Sequence, residues 1–363
     1  MYEYVHGGNI YDADGLPARD VLDFSANINP LGIPAAVRQA IRDAIPACVN
    51  YPDSQCRLLR KRLGETLGVP ADWVFCGNGA SEILFRLAHA IQAKHTLVLA
   101  PTFADYERAA AAAGSKVDYH VLRKEDSFGV TPALLRSITK RTGLVVLCNP
   151  NNPTGLLTDR TLLTAVLDKC RGTGAICVVD ECFLDFVPDA GRYSVLGLTS
   201  RYENLVVLKA FTKTHALPGI RLGYCVTGNA KLLDALYQAG PDWNVSTLAQ
   251  AAGVAALGVP DYLEEARQLL AAERRYLTGQ LRQLNLTVYD GTADYLFFYD
   301  PDDPGWARLL RQRGILIRDC SNYRGLGKGY YRIAVKKRRD NRRLIKEMKE
   351  ITKYVFTFTS RID

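Results

Sequence analysis

The chain has 363 residues, 48% of them hydrophobic and 23% charged, a composition that fits a globular protein and excludes disordered and collagen-like classes. Its length exceeds what one compact core usually holds, so one large and one smaller domain is expected. The formal net charge of +8 suits anionic ligands, and no run approaches the ~18 apolar residues of a membrane span.

The N-terminal arm carries His6, Gly7, Gly8 and Asn9, then LDFSANINPLG ending at Gly32. Gly, Asn and Pro at this density are turn chemistry by default, but the small side chains and amide donors also suit an anion. A helix is expected from Pro34 to about Ile45, followed by Asn50-Tyr51-Pro52-Asp53. From there short apolar runs alternate with helical stretches: WVFCGNG, TLVLAP, LVVLCNP, AICVVDE, LVVLKAF and RLGYCVTG. Strands apolar on both faces and separated by helices imply a mostly parallel, doubly wound α/β sheet.

In such a sheet ligands bind beyond the carboxyl ends of strands, and the polar residues of this chain fall there. After WVF come Gly79, Ala80 and Ser81, opening a helix read as SEILFRLAHAIQAKH. Two glycines before a helix N-terminus make a phosphate cradle, although Ser81 reads equally well as an N-cap. After TLVLA comes Phe103, either core or a face for a flat ring. After LVVLC comes Asn149-Pro150-Asn151-Asn152-Pro153-Thr154-Gly155, a stiff turn from which Asn152 could donate to a ring oxygen. After AICVV comes Asp180, a carboxylate costly to bury unless a cation, such as a protonated pyridine nitrogen, faces it.

The stretch LVVLKAFTKTHALPGIRLGYCV holds Lys213 in a polar turn, with Pro218 and Gly219 ahead of Arg221. Alone, Lys213 reads as a solvated loop lysine. Lysine is also the side chain that forms Schiff bases, and pyridoxal phosphate needs one such lysine, an acid at its ring nitrogen and a phosphate site, where Arg221 could grip bidentately.

Beyond Val226, helices are expected over Ala230–Leu236, Leu248–Leu257, within Pro260–Leu284 and around Trp306–Arg313, with LTVYDG, LFFYD, GILIRDC and YYRIAV as strands. That is a smaller α+β domain with Arg318 and Arg332 on its strands, where either could be a surface arginine. The basic run KKRRDNRRLIKEMKE places Leu344, Ile345, Met348 and Ile351 at helical spacing, which predicts an amphipathic helix with a solvated basic face. No aromatic residues interleave those charges, so nucleic acid is not the expected partner. The nine scattered cysteines form no CxxC pair, pointing to buried free thiols and away from disulfides or metal. The start, MYEYVHGGNIYDADG, lacks a basic region followed by an apolar stretch, so a cytoplasmic location is expected.

In combination, NPNNPTG, the DE at Asp180, the FTK at Lys213 and the RLGY at Arg221 resemble fold-type I pyridoxal-phosphate enzymes, the aspartate aminotransferase superfamily, from His6 to about Ile351. The resemblance implies Lys213 as the Schiff-base lysine, Asp180 at the pyridine nitrogen, Asn152 at the phenolic oxygen and Phe103 stacked on the ring. It implies Gly79, Ala80, Ser81, Thr212 and Arg221 at the cofactor phosphate, with Tyr51 reaching the phosphate of a neighbouring subunit in a homodimer. The expected divisions are an arm over 1–33, a large cofactor-binding domain over 34–228 continued by helices over 229–259, and a small domain over 260–363.

Two branches of that superfamily compete. The layout is similar to histidinol-phosphate aminotransferases, and more closely to threonine-phosphate decarboxylases of cobalamin biosynthesis. HGGN with LDFSANINPLG resembles the decarboxylase substrate segment, implying His6, Gly7 and Asn27 at the substrate phosphate. DECFLDF places Phe183 where the aminotransferases usually carry a tyrosine, leaving Asn152 as the side-chain partner of the phenolic oxygen. ILIRDCSNYRGLGKGYYRIAV resembles the decarboxylase C-terminal signature, with Arg318 and Arg332 as substrate anchors. The implied reaction is decarboxylation of O-phospho-L-threonine; a phosphoserine preference and a non-catalytic cofactor-bound role stay open. The final FTFTSRID matches nothing assignable.

Overall fold

The computed structural model describes residues 6–11 and 20–359, with side chains as far as Tyr354. After a two-residue strand in the arm, β1 (Leu22–Asp23), the apolar runs form β2 (Val74–Gly77), β3 (His95–Ala100), β5 (Leu144–Cys148), β6 (Ile176–Asp180), β7 (Leu205–Ala210) and β8 (Gly223–Val226), joined by a polar strand β4 (Lys116–Val121). These seven make one sheet in the order β2-β8-β7-β6-β5-β3-β4. The links from β4 through β3, β5 and β6 to β7 are parallel, and β8 runs antiparallel to both β7 and β2. Each central strand is buried on both faces. Val146, Val178 and Val206 pack with Ile83 and Leu87 of the helix Gly79–Ile91. Val145, Val179 and Val207 pack with Leu163, Val166 and Leu167 of the helix Arg160–Thr173 on the other side.

Three local readings need correction. β4, KVDYHV, carries polar side chains and is nowhere fully buried, because an edge strand needs no continuous apolar run; the sequence pattern missed it. The helix expected from Ser81 begins two residues earlier at Gly79, with Asn78 at its N-cap, and stops at Ile91 because Gln92 turns left-handed. Ser81 is therefore not an N-cap. The helix at Trp306 ends at Arg311, short of Arg313.

The C-terminal part adds β9 (Thr287–Val288), β10 (Tyr295–Tyr299), β11 (Ile315–Leu316), β12 (Arg318–Asp319) and β13 (Tyr330–Ala334). A four-stranded sheet runs β12-β13-β10-β9, each neighbour antiparallel. Leu270, Leu277 and Leu281 of the helix Asp261–Gln283 and Leu344, Ile345, Met348 and Ile351 of the helix Arg338–Thr359 cover it. The basic run is thus an amphipathic helix, and FTFTSRID continues it to Thr359, with residues 360–363 outside the described residues.

The arm ties both parts together. β1 pairs in parallel with β11, and the Ala334 N–H donates to the Phe24 carbonyl at 2.8 Å. A few residues on, the Asn29 N–H donates to the Lys213 carbonyl at 3.1 Å. All nine cysteines are free thiols, buried except for Cys48. Among the described residues no helix is long and apolar enough to cross a membrane.

Candidate active site

Because β2 runs parallel to β7 and β8 runs against both, the ends of β2, β3, β5, β6 and β7 and the start of β8 share one edge. A cavity of about 310 Å³ opens there, lined by His6, Gly7, Asn27, Ala80, Ser81, Phe103, Asn152, Asp180, Thr212, Lys213, Arg221, Arg318 and Arg332. Tyr51 lies outside it: the side chain is 78% exposed and its ring stacks on Trp243 at 4.4 Å.

LVVLKAFTK offers two lysines, and their surroundings separate them. Lys209 Nζ is 2.6 Å from Asp185 and 3.9 Å from Glu181, so its charge is already paired. Lys213, on the single turn Phe211–Thr214 where β7 ends, faces the cavity with Nζ 6.0 Å from the Phe183 ring centre. Burial, together with Arg332 and Arg221, lowers its ammonium pKa against the opposing pull of Asp294. A lysine so placed can supply a neutral amine for carbonyl chemistry.

Asp180 is buried at the end of β6, accepting from the Tyr106 hydroxyl at 2.7 Å and the Cys182 N–H at 2.9 Å. Burial raises its pKa, while those hydrogen bonds and the Lys213 charge pull it down. One more cationic N–H facing it from the cavity would complete a buried pair.

At the head of the helix Gly79–Ile91 the backbone forms a cradle that side chains would fill. A Cβ on Gly79 (φ +79°) would sit 2.4 Å from an Arg221 guanidinium nitrogen, and one on Gly223 would sit 2.5 Å from the Ala80 nitrogen. Arg221 itself adopts φ 61° and donates to the Pro218 carbonyl at 3.2 Å. The exposed N–H groups and this guanidinium make an anion site. Glu82 ties the turn down, accepting from the Asn78 N–H at 2.6 Å and from Arg86 and Asn244. A phosphate at this cradle and a pyridine nitrogen at Asp180 fit the two ends of pyridoxal phosphate.

The other wall carries Arg318 and Arg332, which face each other in register across β12 and β13. Arg332 is only 5% exposed, which overturns the surface reading for it; it donates to Asn152 Oδ1 and to the Ser25 carbonyl at 2.7 Å. Arg318 is half-buried, bonded to Asn322 and placed over the Tyr323 ring at 5.0 Å. Gly7 must be glycine, since a Cβ would meet the Ser25 carbonyl at 2.3 Å. The buried Asn27 Oδ1 accepts no hydrogen bond.

Three residues here escaped the sequence reading. Asp105 holds His6 at 2.9 Å and accepts from Ser81 Oγ at 2.9 Å. Its carboxyl is raised by burial but brought below the usual value on balance by His6 and Ser81. Tyr106 holds Asp180. Both sit in the first turn after Phe103, so PTFADY was the available signal. The third, Asp294, sits behind Lys213 and Arg332, in GTADY, which carried none.

Residues 19–348 match the family model "Aminotransferase class I and II". The chain is 35% identical over 356 residues to the threonine-phosphate decarboxylase of Salmonella typhimurium, covering 97% of each. It is 29% identical over 352 residues to the adenosylcobalamin biosynthesis bifunctional protein of Leptospira interrogans, covering 94% of this chain and 40% of that one. Its fold is similar to the crystal structure of the histidinol-phosphate aminotransferase from Clostridium acetobutylicum, with a TM-score of 0.85, 28% identity, and 91% of this chain and 99% of that one covered. With a strand-end lysine, a buried acid and an anion cradle around one cavity, the chain belongs to the class I and II aminotransferase family, with pyridoxal phosphate as its cofactor.

Proposed function

We propose that this chain is a pyridoxal-phosphate-dependent carboxy-lyase that converts O-phospho-L-threonine to (R)-1-amino-2-propanol O-phosphate and carbon dioxide, serving cobalamin biosynthesis. The observation that carries the reading is the opposition of Arg318 and Arg332 at one end of the cavity, which suits a substrate that presents both a carboxylate and a phosphate, as phosphothreonine does. The relatives' names support the same choice.

Lys213 holds the cofactor covalently, Asp180 its ring nitrogen, Asn152 its phenolic oxygen and Phe103 its ring face. Gly79, Ala80, Ser81, Thr212 and Arg221 hold its phosphate. Tyr51 serves the phosphate of a second copy in a homodimer, which the exposed Ile45, Val49, Tyr51 and Leu58 support as an apolar surface. The same reading divides the chain into an arm over 1–33, a cofactor-binding body over 34–228 with helices over 229–259, and a substrate-clamping body over 260–363.

When bound, pyridoxal phosphate supplies a ring that accepts the electron pair of a bond broken at the substrate's Cα. The chain decides which bond. His6, Gly7 and Asn27, with the two arginines, grip the substrate's anions at separated points, fixing the carboxylate's orientation. Lys213 then delivers a proton to Cα. Phe183, packed edge-on against Tyr295 at 5.2 Å, brings no hydroxyl to the site.

The deciding experiment is product analysis with purified protein. Carbon dioxide released from phosphothreonine without a keto-acid acceptor is the expected result; glutamate formed only when histidinol phosphate and 2-oxoglutarate are both supplied would replace it with the aminotransferase reading. For the cradle, Gly79→Ala is expected to weaken pyridoxal phosphate binding about tenfold or more, since left-handed strain of ~1–2 kcal/mol adds to displacement of Arg221. Titration of the apoprotein with cofactor measures this, and unchanged affinity would take Gly79 out of the phosphate site.

A further inference from the structure

Asp294 is the most poorly satisfied group near the cavity. It is 0% exposed, and neither carboxyl oxygen receives a hydrogen bond from another residue. Buried carboxylates are ordinarily paired, so such a group calls for an explanation. Its backbone is firmly placed: the Val335 N–H donates to its carbonyl at 2.8 Å, and Arg274 grips the carbonyls of Gly291, Ala293 and Tyr295 around it. Positive charges face it from the packed elements: Lys213 at the end of β7, Arg332 on β13, Arg274 on the helix Asp261–Gln283, and Lys336 just past β13. Arg332 Nε is likewise without an acceptor, though the guanidinium is buried. A buried acid just before β10 and a buried guanidinium N–H on its partner strand β13 therefore each lack a hydrogen-bond partner in another residue among the described residues.

We propose that Asp294 is a charge-compensating, positioning residue: as a carboxylate it offsets Arg332 in the ligand-free protein, and it takes up one proton when an anionic ligand settles on Arg332. Burial lifts its pKa to about 6, and Lys213, Arg332 and Arg274 hold it from rising further. A ligand anion on Arg332 cancels part of that restraint and adds negative charge nearby, so proton affinity rises through neutral pH. The proposal rests on the decarboxylase reading for its purpose. Breaking the bond between Cα and the carboxylate releases carbon dioxide and leaves an electron pair that must take one proton, so each turnover consumes a proton: R–CO₂⁻ + H⁺ gives R–H + CO₂. Amino-group transfer only relocates protons between the partners. Proton uptake on binding brings the required proton beside the Lys213 amine before the bond breaks.

The test is calorimetric binding of 3-phosphoglycerate, which has a carboxylate and a phosphate but no amine and so cannot react, to the cofactor-loaded protein at pH 7.5 in buffers of different ionisation enthalpy. The wild type is expected to take up about 0.5–1 proton per site, and Asp294→Asn close to none, while Asp294→Glu retains the uptake. Working at pH 7.5 keeps the ligand's own phosphate, whose second pKa is about 6, largely dianionic. Equal uptake in the wild type and Asp294→Asn would overturn the proposal.

A second arm needs no ligand. Because the folded pKa lies above the unfolded value, the ionised carboxyl costs stability, a cost absent below pH ~4 and complete above pH ~6. The Tm of Asp294→Asn should therefore climb relative to wild type as pH rises from 4 to 7. A constant Tm difference over that range would mean that Asp294 does not titrate there, and would sink the proposal. Failure of 3-phosphoglycerate to bind the wild type would instead count against the two-anion substrate reading, leaving the stability arm to decide on Asp294.

Discussion

Lys213→Ala is expected to erase the visible absorption of the pyridoxal-loaded protein and to cut turnover by about 10³-fold or more, since covalent attachment and proton delivery are lost together. Lys209 is held by Asp185 at 2.6 Å and by Glu181, and its amine stays charged, whereas burial depresses the ammonium of Lys213. Because the cradle at Gly79 and Arg221 is untouched, the variant should still bind pyridoxal phosphate, only non-covalently. Borohydride reduction followed by peptide mass analysis checks the point: the wild type should carry the cofactor mass on the peptide containing Lys213. A variant that kept both the absorption band and turnover would remove the basis of the mechanism.

Arg332→Ala should raise the Kd for the phosphorylated substrate by about 10²–10³-fold, ~3–4 kcal/mol, while cofactor affinity moves by less than about tenfold. Arg332 is buried and already donates to Ser25 and Asn152, so its removal strips a charge from the cavity wall and leaves two acceptors unmet. Arg332→Lys separates the contributions. A single ammonium cannot reproduce the forked contact, so lysine should recover only part of the affinity. Calorimetry with 3-phosphoglycerate and, separately, with pyridoxal phosphate reads both sides; equal losses for the two ligands would show a general collapse of the cavity.

Much of the main sheet was legible because its strands are short, apolar on both faces and terminated by polar turns, so that Asp180, Asn152 and Lys213 fall at or just past the strand ends. β4 was not, because an edge strand is stabilised by backbone pairing to β3 and tolerates Lys116, Asp118 and His120 along its length. The antiparallel direction of β8 was hidden for a different reason: an apolar tetrapeptide carries no polarity, and only the tight turn from Lys213 back through Arg221 sets it. The cavity gathers residues from the arm, six strand ends and the C-terminal sheet, and motif spacing named the ones that stand directly at those ends. Tyr106 and Asp105 were missed because they act one helical turn later. Asp294 was missed because its isolation depends on Arg274, twenty residues upstream, engaging backbone carbonyls and not its carboxylate.

The pairing of β1 with β11 bears on how the protein can be redesigned. Leu22 and Asp23 lie beside Ile315 and Leu316, Phe24 is bonded to Ala334, and the Ser25 carbonyl is held by Arg332, so residues 22–25 of the arm are stitched to the segment that carries both arginines. The anion cradle, by contrast, hangs on β2 and β8. Exchanging the arm alone for that of a relative would leave its stitches without partners. Exchanging residues 20–27 together with 315–334 transplants a self-consistent unit and leaves the cradle on β2 and β8 in place, which makes that pair of segments the natural cassette for altering what the cavity accepts.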